Sequence, residues 1–215
     1  MDSFIIGGGE IDIDWLKGIL NPATDTIVAA DSGCEALFAI GVQPDVVVGD
    51  FDSIDPKVKA DIDEKWDCRR IELNPIKDDT DVESALNYVL NNTNHGDIYI
   101  LGGTGTRLDH VLGNISLLGA GFEHNRKIYL MDSHNKVYMI KDRVIIEKSK
   151  QHGKYVSVFA QTTEVKGLTM RGFKYPLNDY DLKGFNTLCV SNEILAPEAY
   201  IYIDEGILIV VESRD

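Results

Sequence analysis

The first two-thirds of the chain alternate short apolar runs with segments of helical period. SFIIG (3–7), TIVAA (26–30), DVVVG (45–49), RRIEL (69–73), DIYIL (97–101) and KIYLM (127–131) predict strands. Most of these runs are continuous rather than alternating, the pattern of strands covered on both faces. Helices are predicted between them. Ser32 with Glu35 and Thr80 with Glu83 have the spacing of capping boxes, Thr106 with Asp109 starts another helix, and Asp55-Pro56 reads as an N-cap followed by proline at the first helical position. Gly41 is a suitable C-terminal stop for the helix after TIVAA. Apolar stripes follow the starts: Val58, Ile62 and Trp66; Val82, Ala85, Leu86, Val89 and Leu90; Leu108, Val111, Leu112, Ile115 and Leu118. Strand–helix alternation of this kind predicts an α/β, Rossmann-like domain with a mostly parallel sheet and helices on both faces.

The pattern changes near residue 135. KVYMI, RVIIE, YVSVFA, LTMRG, NTLCV, YIYID and GILIVV are short β-like runs with turns between them and no helical stripe. They predict a separate all-β sandwich or small barrel. The boundary is placed near 140, giving an α/β domain over 1–140 and a β-domain over 141–215. The polar stretch EKSKQHGK (147–154) reads as a hairpin loop.

Composition narrows the chemistry. At 215 residues the chain has length for a sizeable core, and 44% hydrophobic with 26% charged residues is the balance of a globular protein. A formal net charge of −14 argues against nucleic acid or an anionic membrane as partner. An acidic protein that handles an anion must do so through a metal or a few placed basic groups. Cys34, Cys68 and Cys189 form no CxxC pair, so a structural zinc or a disulfide framework is not expected, and a reducing cytosol is. The start MDSFIIGGGEIDID lacks the basic and apolar regions of a signal peptide, and no run approaches transmembrane length. A cytoplasmic location is the expectation.

The acids fall at strand ends. Asp31 follows TIVAA, Asp50 and Asp52 follow DVVV, and the KDDTD run (77–81) sits at the mouth of a helix. In open α/β sheets the ligand crevice lies outside the carboxyl ends of the strands, so these acids can converge there. Clustered carboxylates suit Mg²⁺, which takes oxygen ligands and is usually shared with substrate phosphates. Each acid also has a plainer reading: Asp55 as a helix cap, Thr80 as a cap alone, and Asp78, Asp79 and Asp81 as favourable charges at a helix N-terminus. The pair Asp50 and Asp52 is harder to reduce to a turn, because their mutual repulsion needs a compensating charge.

LGGTGTRLDH (101–110) is a strand end, a glycine-rich turn and a helix start. Glycines such as Gly103 allow close backbone approach, and free N–H groups there, near Thr106, can bind phosphate. Arg107 can fork onto phosphate oxygens. Asp109 can hold that arginine, ligate a metal or bind substrate. His110 fits a structural role better than a catalytic one, and GGG (7–9) is either a nucleotide contact or a tight turn. In the β-domain, RGFKYPLNDYDL (171–182) and FNTLCVSNE (185–193) compose as ordinary turns. Even so, Tyr175 offers a flat face, and Ser191 and Asn192 offer neutral hydrogen-bonding groups.

The ordered set ADSG (30–33), GDFDSID (49–55), KDDTD (77–81), GGTGTRLDH (102–110) and GFKYPL…TLCVSNE resembles the thiamine pyrophosphokinase family nearly end to end. That resemblance implies an α/β nucleotide-binding domain followed by a β-sandwich. It implies transfer of the diphosphoryl group of ATP to the hydroxyl of thiamine, with Mg²⁺. It further implies a homodimer whose site lies at the subunit interface. Carried over, Asp31, Asp50, Asp52 and Asp81 fall on acids around the metal and phosphates. Thr80, Arg107 and Asp109 fall on polar nucleotide or substrate contacts, with Gly103 and Thr106 in the same loop. Tyr175 falls on the aromatic that stacks on thiamine, where some relatives have tryptophan, and Ser191 and Asn192 fall on a substrate-contacting pair. Three rivals remain. The strand followed by Asp50-Phe51-Asp52 approaches the signature of haloacid-dehalogenase-like phosphatases, but it lacks the closing Thr or Val, sits on the third strand and leaves GGTGTRLDH and SNE unexplained. The others are a pyrophosphokinase for another alcohol such as a pterin, and a non-catalytic nucleotide- or thiamine-binding regulator.

Overall fold

Six short strands, buried on both sides except at one edge, organise the first half of the molecule. The computed structural model describes residues 1–73 and 79–215, and the chain divides into two compact units, Met1–Ser133 and His134–Asp215. The first unit carries β1 (Ser3–Ile6), α1 (Ile13–Ile19), β2 (Thr26–Ala30), α2 (Gly33–Ala39), β3 (Val46–Gly49) and α3 (Pro56–Lys65). It continues with β4 (Arg69–Glu72), α4 (Asp81–Asn92), β5 (Ile98–Leu101), α5 (Leu108–Leu117), α6 (Gly121–His124) and β6 (Ile128–Met131). The strands lie in the order β6-β5-β1-β2-β3-β4, and each neighbouring pair is parallel. The α/β class predicted from the sequence is thus present, with the charged strand RRIE at the exposed edge.

The order of the strands fixes where a ligand can sit. The chain builds outward from β1 to β4 and then returns to the other side of β1 as β5 and β6. Winding therefore reverses between β1 and β5, and the loops leaving their carboxyl ends part to open a crevice. On one face, Phe4 and Ile6 of β1 pack with Leu16 of α1, Leu37 of α2 and Ile62 of α3. Each such fully buried side chain contributes about 1.5–3 kcal/mol relative to exposure. Phe4, Tyr99 and Tyr129 occupy one register row across β1, β5 and β6. Their rings stack with centroids 5.0 Å apart at both steps, and burial pushes the Tyr99 phenol up to about 12.

Helix starts follow the sequence in part. Asp55 caps α3, its Oδ1 accepting the N–H of Lys57 at 2.8 Å and of Val58 at 3.3 Å. Thr80 caps α4, accepting the Glu83 N–H at 3.1 Å. The Ser32–Glu35 box does not form: Ser32 is already helical (φ −63, ψ −7) and makes no cap bond, whereas a capping residue needs extended backbone. Glu35 instead accepts the Asp55 N–H at 2.7 Å, tying α2 to the entrance of α3. Thr106 does not cap α5 either. Arg107 holds the cap position without a side-chain cap bond, and Asp109 is turned onto Arg107. Helix α1, capped by Asp12 onto the Trp15 N–H at 3.0 Å, has no counterpart among the predicted elements.

The second unit holds two antiparallel sheets, as the sandwich reading requires. One is β12 (Asn192–Glu193), β9 (Tyr155–Ala160), β14 (Leu208–Ser213) and β7 (Asn135–Ile140), in that order. The other is β11 (Leu177–Lys183), β10 (Glu164–Arg171), β13 (Glu198–Tyr202) and β8 (Arg143–Glu147). EKSKQHGK is not a hairpin loop: β8 pairs with β13 and β9 with β14, so the stretch carries the chain from one sheet to the other. NTLCV is a loop rather than a strand. Conversely, LNDYDLK, expected as turn, is β11, which pairs with β10 through two irregularities of register. No helix among the described residues is long and apolar enough to cross a membrane.

Candidate active site

At the carboxyl ends of β2 and β3 the backbone itself is unusual. Asp31 and Phe51 both adopt left-handed conformations, φ 47 and φ 60, which cost side-chain-bearing residues free energy and cluster at functional positions. Phe51 is pinned from α3: Lys59 Nζ donates to its carbonyl at 3.2 Å and lies 5.8 Å from its ring centroid. Within the turn Asp50 accepts the Asp52 N–H at 3.3 Å, and Asp52 accepts the Ser53 hydroxyl at 2.9 Å. Carboxylate oxygens of Asp31, Asp50 and Asp52 all lie within 4.8 Å of one another. The two like charges of the DFD turn thus gain a third from the neighbouring strand.

Asp31 is the buried member, 8% exposed, and its Oδ1 has no hydrogen-bond partner. Burial pushes its carboxyl above the ordinary range, opposed by hydrogen bonds from the Ser32 backbone and the Ser53 side chain and reinforced by the charges of Asp81 and Asp50. An orphaned buried carboxylate oxygen facing two further carboxylates is unfavourable unless a cation joins it. The donor set is oxygen only, which fits a hard divalent ion such as Mg²⁺. Asp81, first residue of α4, lies outside that triad but acts on Asp31 through its charge and shares the crevice wall with it. Lys77 and Asp78 of the KDDTD run lie outside the described residues.

The crevice, a cavity of about 460 Å³, opens at the β1/β5 reversal, with Asp31 and Asp81 on one wall and Gly103, Thr106 and Arg107 on another. The GGG turn after β1 is part of it: the Gly9 N–H donates to the Gly102 carbonyl at 2.8 Å. A Cβ at Gly9 would stand 2.4 Å from that oxygen and 2.6 Å from the Thr104 carbonyl. Glycine is required there for two loops to close together. At Gly103 a side chain would strike Leu130 at 2.6 Å. Asn114 of α5, buried, donates to the Gly103 carbonyl at 2.8 Å, and the Thr104 hydroxyl donates to Asp132 at 2.8 Å. Neither Asn114 nor Thr104 is among the sequence candidates. The signal for Asn114 was a lone polar residue inside the apolar stripe of α5. His110, read as structural, is exposed and lines the crevice.

Arg107 lines the crevice together with the glycine loop. It is forked onto Asp109, Nε to Oδ1 at 3.2 Å and Nη2 to Oδ2 at 2.6 Å. The hydrogen bond from Arg107 draws the Asp109 carboxyl down to about 2. The stripe of α5 is only partly interior: Leu108 and Leu112 are 73% and 65% exposed. In the second unit Tyr175 is 63% exposed. Ser191 adopts φ 58 and its N–H donates to Ser157 at 2.9 Å. Asn192 is buried, its side chain bonded to the Tyr175 backbone.

A parallel sheet with a glycine-lined crevice at its winding reversal, an arginine and a cluster of carboxylates beside it, followed by a β-sandwich, is the class of fold and site present here. The comparisons give the particular family. Residues 19–130 match the family described as Thiamin pyrophosphokinase, catalytic domain, and residues 143–208 match Thiamin pyrophosphokinase, vitamin B1 binding domain. The chain is 34% identical to the thiamine pyrophosphokinase of Bacillus subtilis (strain 168) over 213 residues, 99% of this chain and 98% of the relative. The crystal structure of thiamine pyrophosphokinase from Bacillus subtilis superposes with a TM-score of 0.92 at 33% identity, covering 100% of both chains. That of thiamin pyrophosphokinase from Geobacillus thermodenitrificans gives 0.90 at 30% identity, covering 100% of this chain and 98% of the other. The chain belongs to the thiamine pyrophosphokinase family.

Proposed function

We infer that this protein is a thiamine pyrophosphokinase, which transfers the diphosphoryl group of ATP to the hydroxyl of thiamine and releases AMP. The observation that carries the reading is the triad Asp31, Asp50 and Asp52 within 4.8 Å, with a buried orphan oxygen, beside a crevice of about 460 Å³. Neither a pterin-specific enzyme nor a regulator is favoured, because the vitamin B1 binding region matches and the acid cluster would be superfluous in a binder. Phosphoryl-type transfer asks a protein mainly for charge neutralisation, in-line placement and exclusion of water.

In this reading the α/β unit binds ATP and the β-unit binds thiamine. Asp31, Asp50 and Asp52, with Asp81 close by, hold Mg²⁺. The ion, when bound, supplies positive charge against the polyphosphate. The glycine loops and the helix start near Thr80 and Thr106 present backbone N–H groups to phosphate oxygens. Arg107 neutralises the phosphates once it turns from Asp109. Asp52 and Asp109 are the carboxylates that can receive the alcohol proton, Asp109 once Arg107 has turned to the phosphates. Tyr175 provides a stacking face for thiamine, and Ser191 a hydroxyl. Exposed Leu108 and Leu112 beside Arg107 support a homodimer whose site forms at the subunit interface, and the three free cysteines support a cytoplasmic location. Incubation with MgATP and thiamine tests the reaction: AMP and thiamine diphosphate are expected, and ADP, or no nucleotide product, overturns it. For the assembly, Leu112→Glu is expected to shift the protein to monomer in sedimentation.

A further inference from the structure

The segment Gly172–Tyr175 runs antiparallel to residues 192–196. Phe173 bridges Ile194, the Lys174 N–H donates to the Glu193 carbonyl at 2.8 Å, and the Leu195 N–H donates to the Gly172 carbonyl at 2.9 Å. At the next position the ladder changes character. The backbone of Asn192 faces the other way, pairing with Val156 of β9. Its side chain takes the place that a backbone would fill. Oδ1 accepts the Tyr175 N–H at 3.0 Å, and Nδ2 donates to the Tyr175 carbonyl at 2.8 Å. Oδ1 also accepts the Glu193 N–H at 2.9 Å. Only one orientation of the amide satisfies all three partners.

This occupancy bears on what Asn192 can do. An asparagine amide has two donor hydrogens and two acceptor lone pairs. Three of these four are used inside the fold, and the residue is 3% exposed. Little remains to meet a ligand. Tyr175, by contrast, has its backbone held at both ends and its ring in solvent. Pro176, which follows it, biases Tyr175 towards extended backbone and offers no N–H of its own. A ring on a fixed base and with few rotatable bonds binds a flat ligand at low ordering cost.

We propose that Asn192 is a positioning residue that acts on thiamine only through Tyr175, its amide locking that backbone so that the ring stands ready to stack. The proposal rests on the reading above in which Tyr175 receives thiamine. It separates the two members of the SN pair: Ser191 meets the ligand and Asn192 sets the platform. Aspartate is no substitute despite its shape, because it has no donor for the Tyr175 carbonyl and would place a charge in a buried site.

A double-mutant cycle with a substrate-free measurement tests this. N192A is expected to raise the KM for thiamine about tenfold with kcat and the KM for ATP within about twofold, and N192D to do at least as much. In a Y175A background, N192A is expected to add nothing, since no ring remains to be placed. Independent factors that multiply in the double variant overturn the proposal. Amide hydrogen exchange, read without any substrate, is expected to be faster at Tyr175 in N192A than in wild type, with the amides of β9 and β14 unchanged. Equal protection at Tyr175 overturns the clamp. If wild type forms no AMP from MgATP and thiamine, the functional reading fails, while the exchange result still decides whether Asn192 holds Tyr175.

Discussion

Two acidic features of the first unit treat the charge of a carboxylate in opposite ways. At the ends of β2 and β3, Asp31 is buried, pushed up from its ordinary range and left with one oxygen unpartnered beside Asp50 and Asp52. At the start of α5, Asp109 is exposed, drawn down to about 2 and forked by its own arginine. The first arrangement gathers like charges around a buried oxygen that has no resident partner. The second is complete, and must open before Arg107 can serve a polyanion. A cluster of acids in a sequence therefore does not say which acids await a ligand; burial and the presence of a resident partner decide it.

The largest effect is expected at the acid triad. D50N removes one of three converging charges and should lower kcat/KM at least about a hundredfold, measured as AMP formation at several Mg²⁺ concentrations. Unchanged turnover would erase the distinction between the two regions. Next in size, R107A should lower kcat/KM about 30- to 100-fold, and R107K should recover only part of it, because an ammonium cannot fork onto phosphate oxygens. Full recovery by lysine would show that charge alone matters at α5.

Stability sharpens the contrast. The folded-state carboxyl of Asp31 lies above its unfolded value, so the fold binds the extra proton and loses stability as pH rises through that interval. D31N removes this liability and should raise the melting temperature about 2–4 °C at neutral pH without divalent ions, about 1 kcal/mol for a chain of this size. Added Mg²⁺ should stabilise wild type and not the variant. The smallest effect concerns Asp109. With Arg107 present its carboxyl titrates near about 2, so the pair outlasts acidification almost to that pH. In R107A the midpoint should return to about 3.9, followed by the carboxyl resonance in NMR.

The sheet, the caps at Asp55 and Thr80 and the convergence of Asp31 with Asp50 and Asp52 were legible, because each depends on local pattern or on the rule that ligands meet strand carboxyl ends. What was not legible depends on contacts distant in sequence. Helix α1 is a seven-residue segment, IDWLKGI, too short to show a period. Strand β11 is rich in Asp and Asn, residues that favour turns, and holds its place by pairing with β10 through bulges. Ser32 and Glu35 have the right spacing for a capping box, but the N–H of Asp55 is the better-placed partner for the glutamate. An apolar stripe ordinarily faces the core, yet in α5 Leu108 and Leu112 face solvent while Asn114 is buried and holds the glycine loop. The clamp on Tyr175 needs residues 17 positions apart in sequence.

The three rings of Phe4, Tyr99 and Tyr129 give the molecule an optical gauge of register. Stacked aromatics couple their electronic transitions, and this row exists only when β1, β5 and β6 are aligned to the residue. A slip of one position on any strand would send its ring to the opposite face of the sheet. The near-ultraviolet circular dichroism of the native protein thus reports the alignment of segments drawn from residues 4, 99 and 129, a closure of distant chain that would be among the slower events of folding.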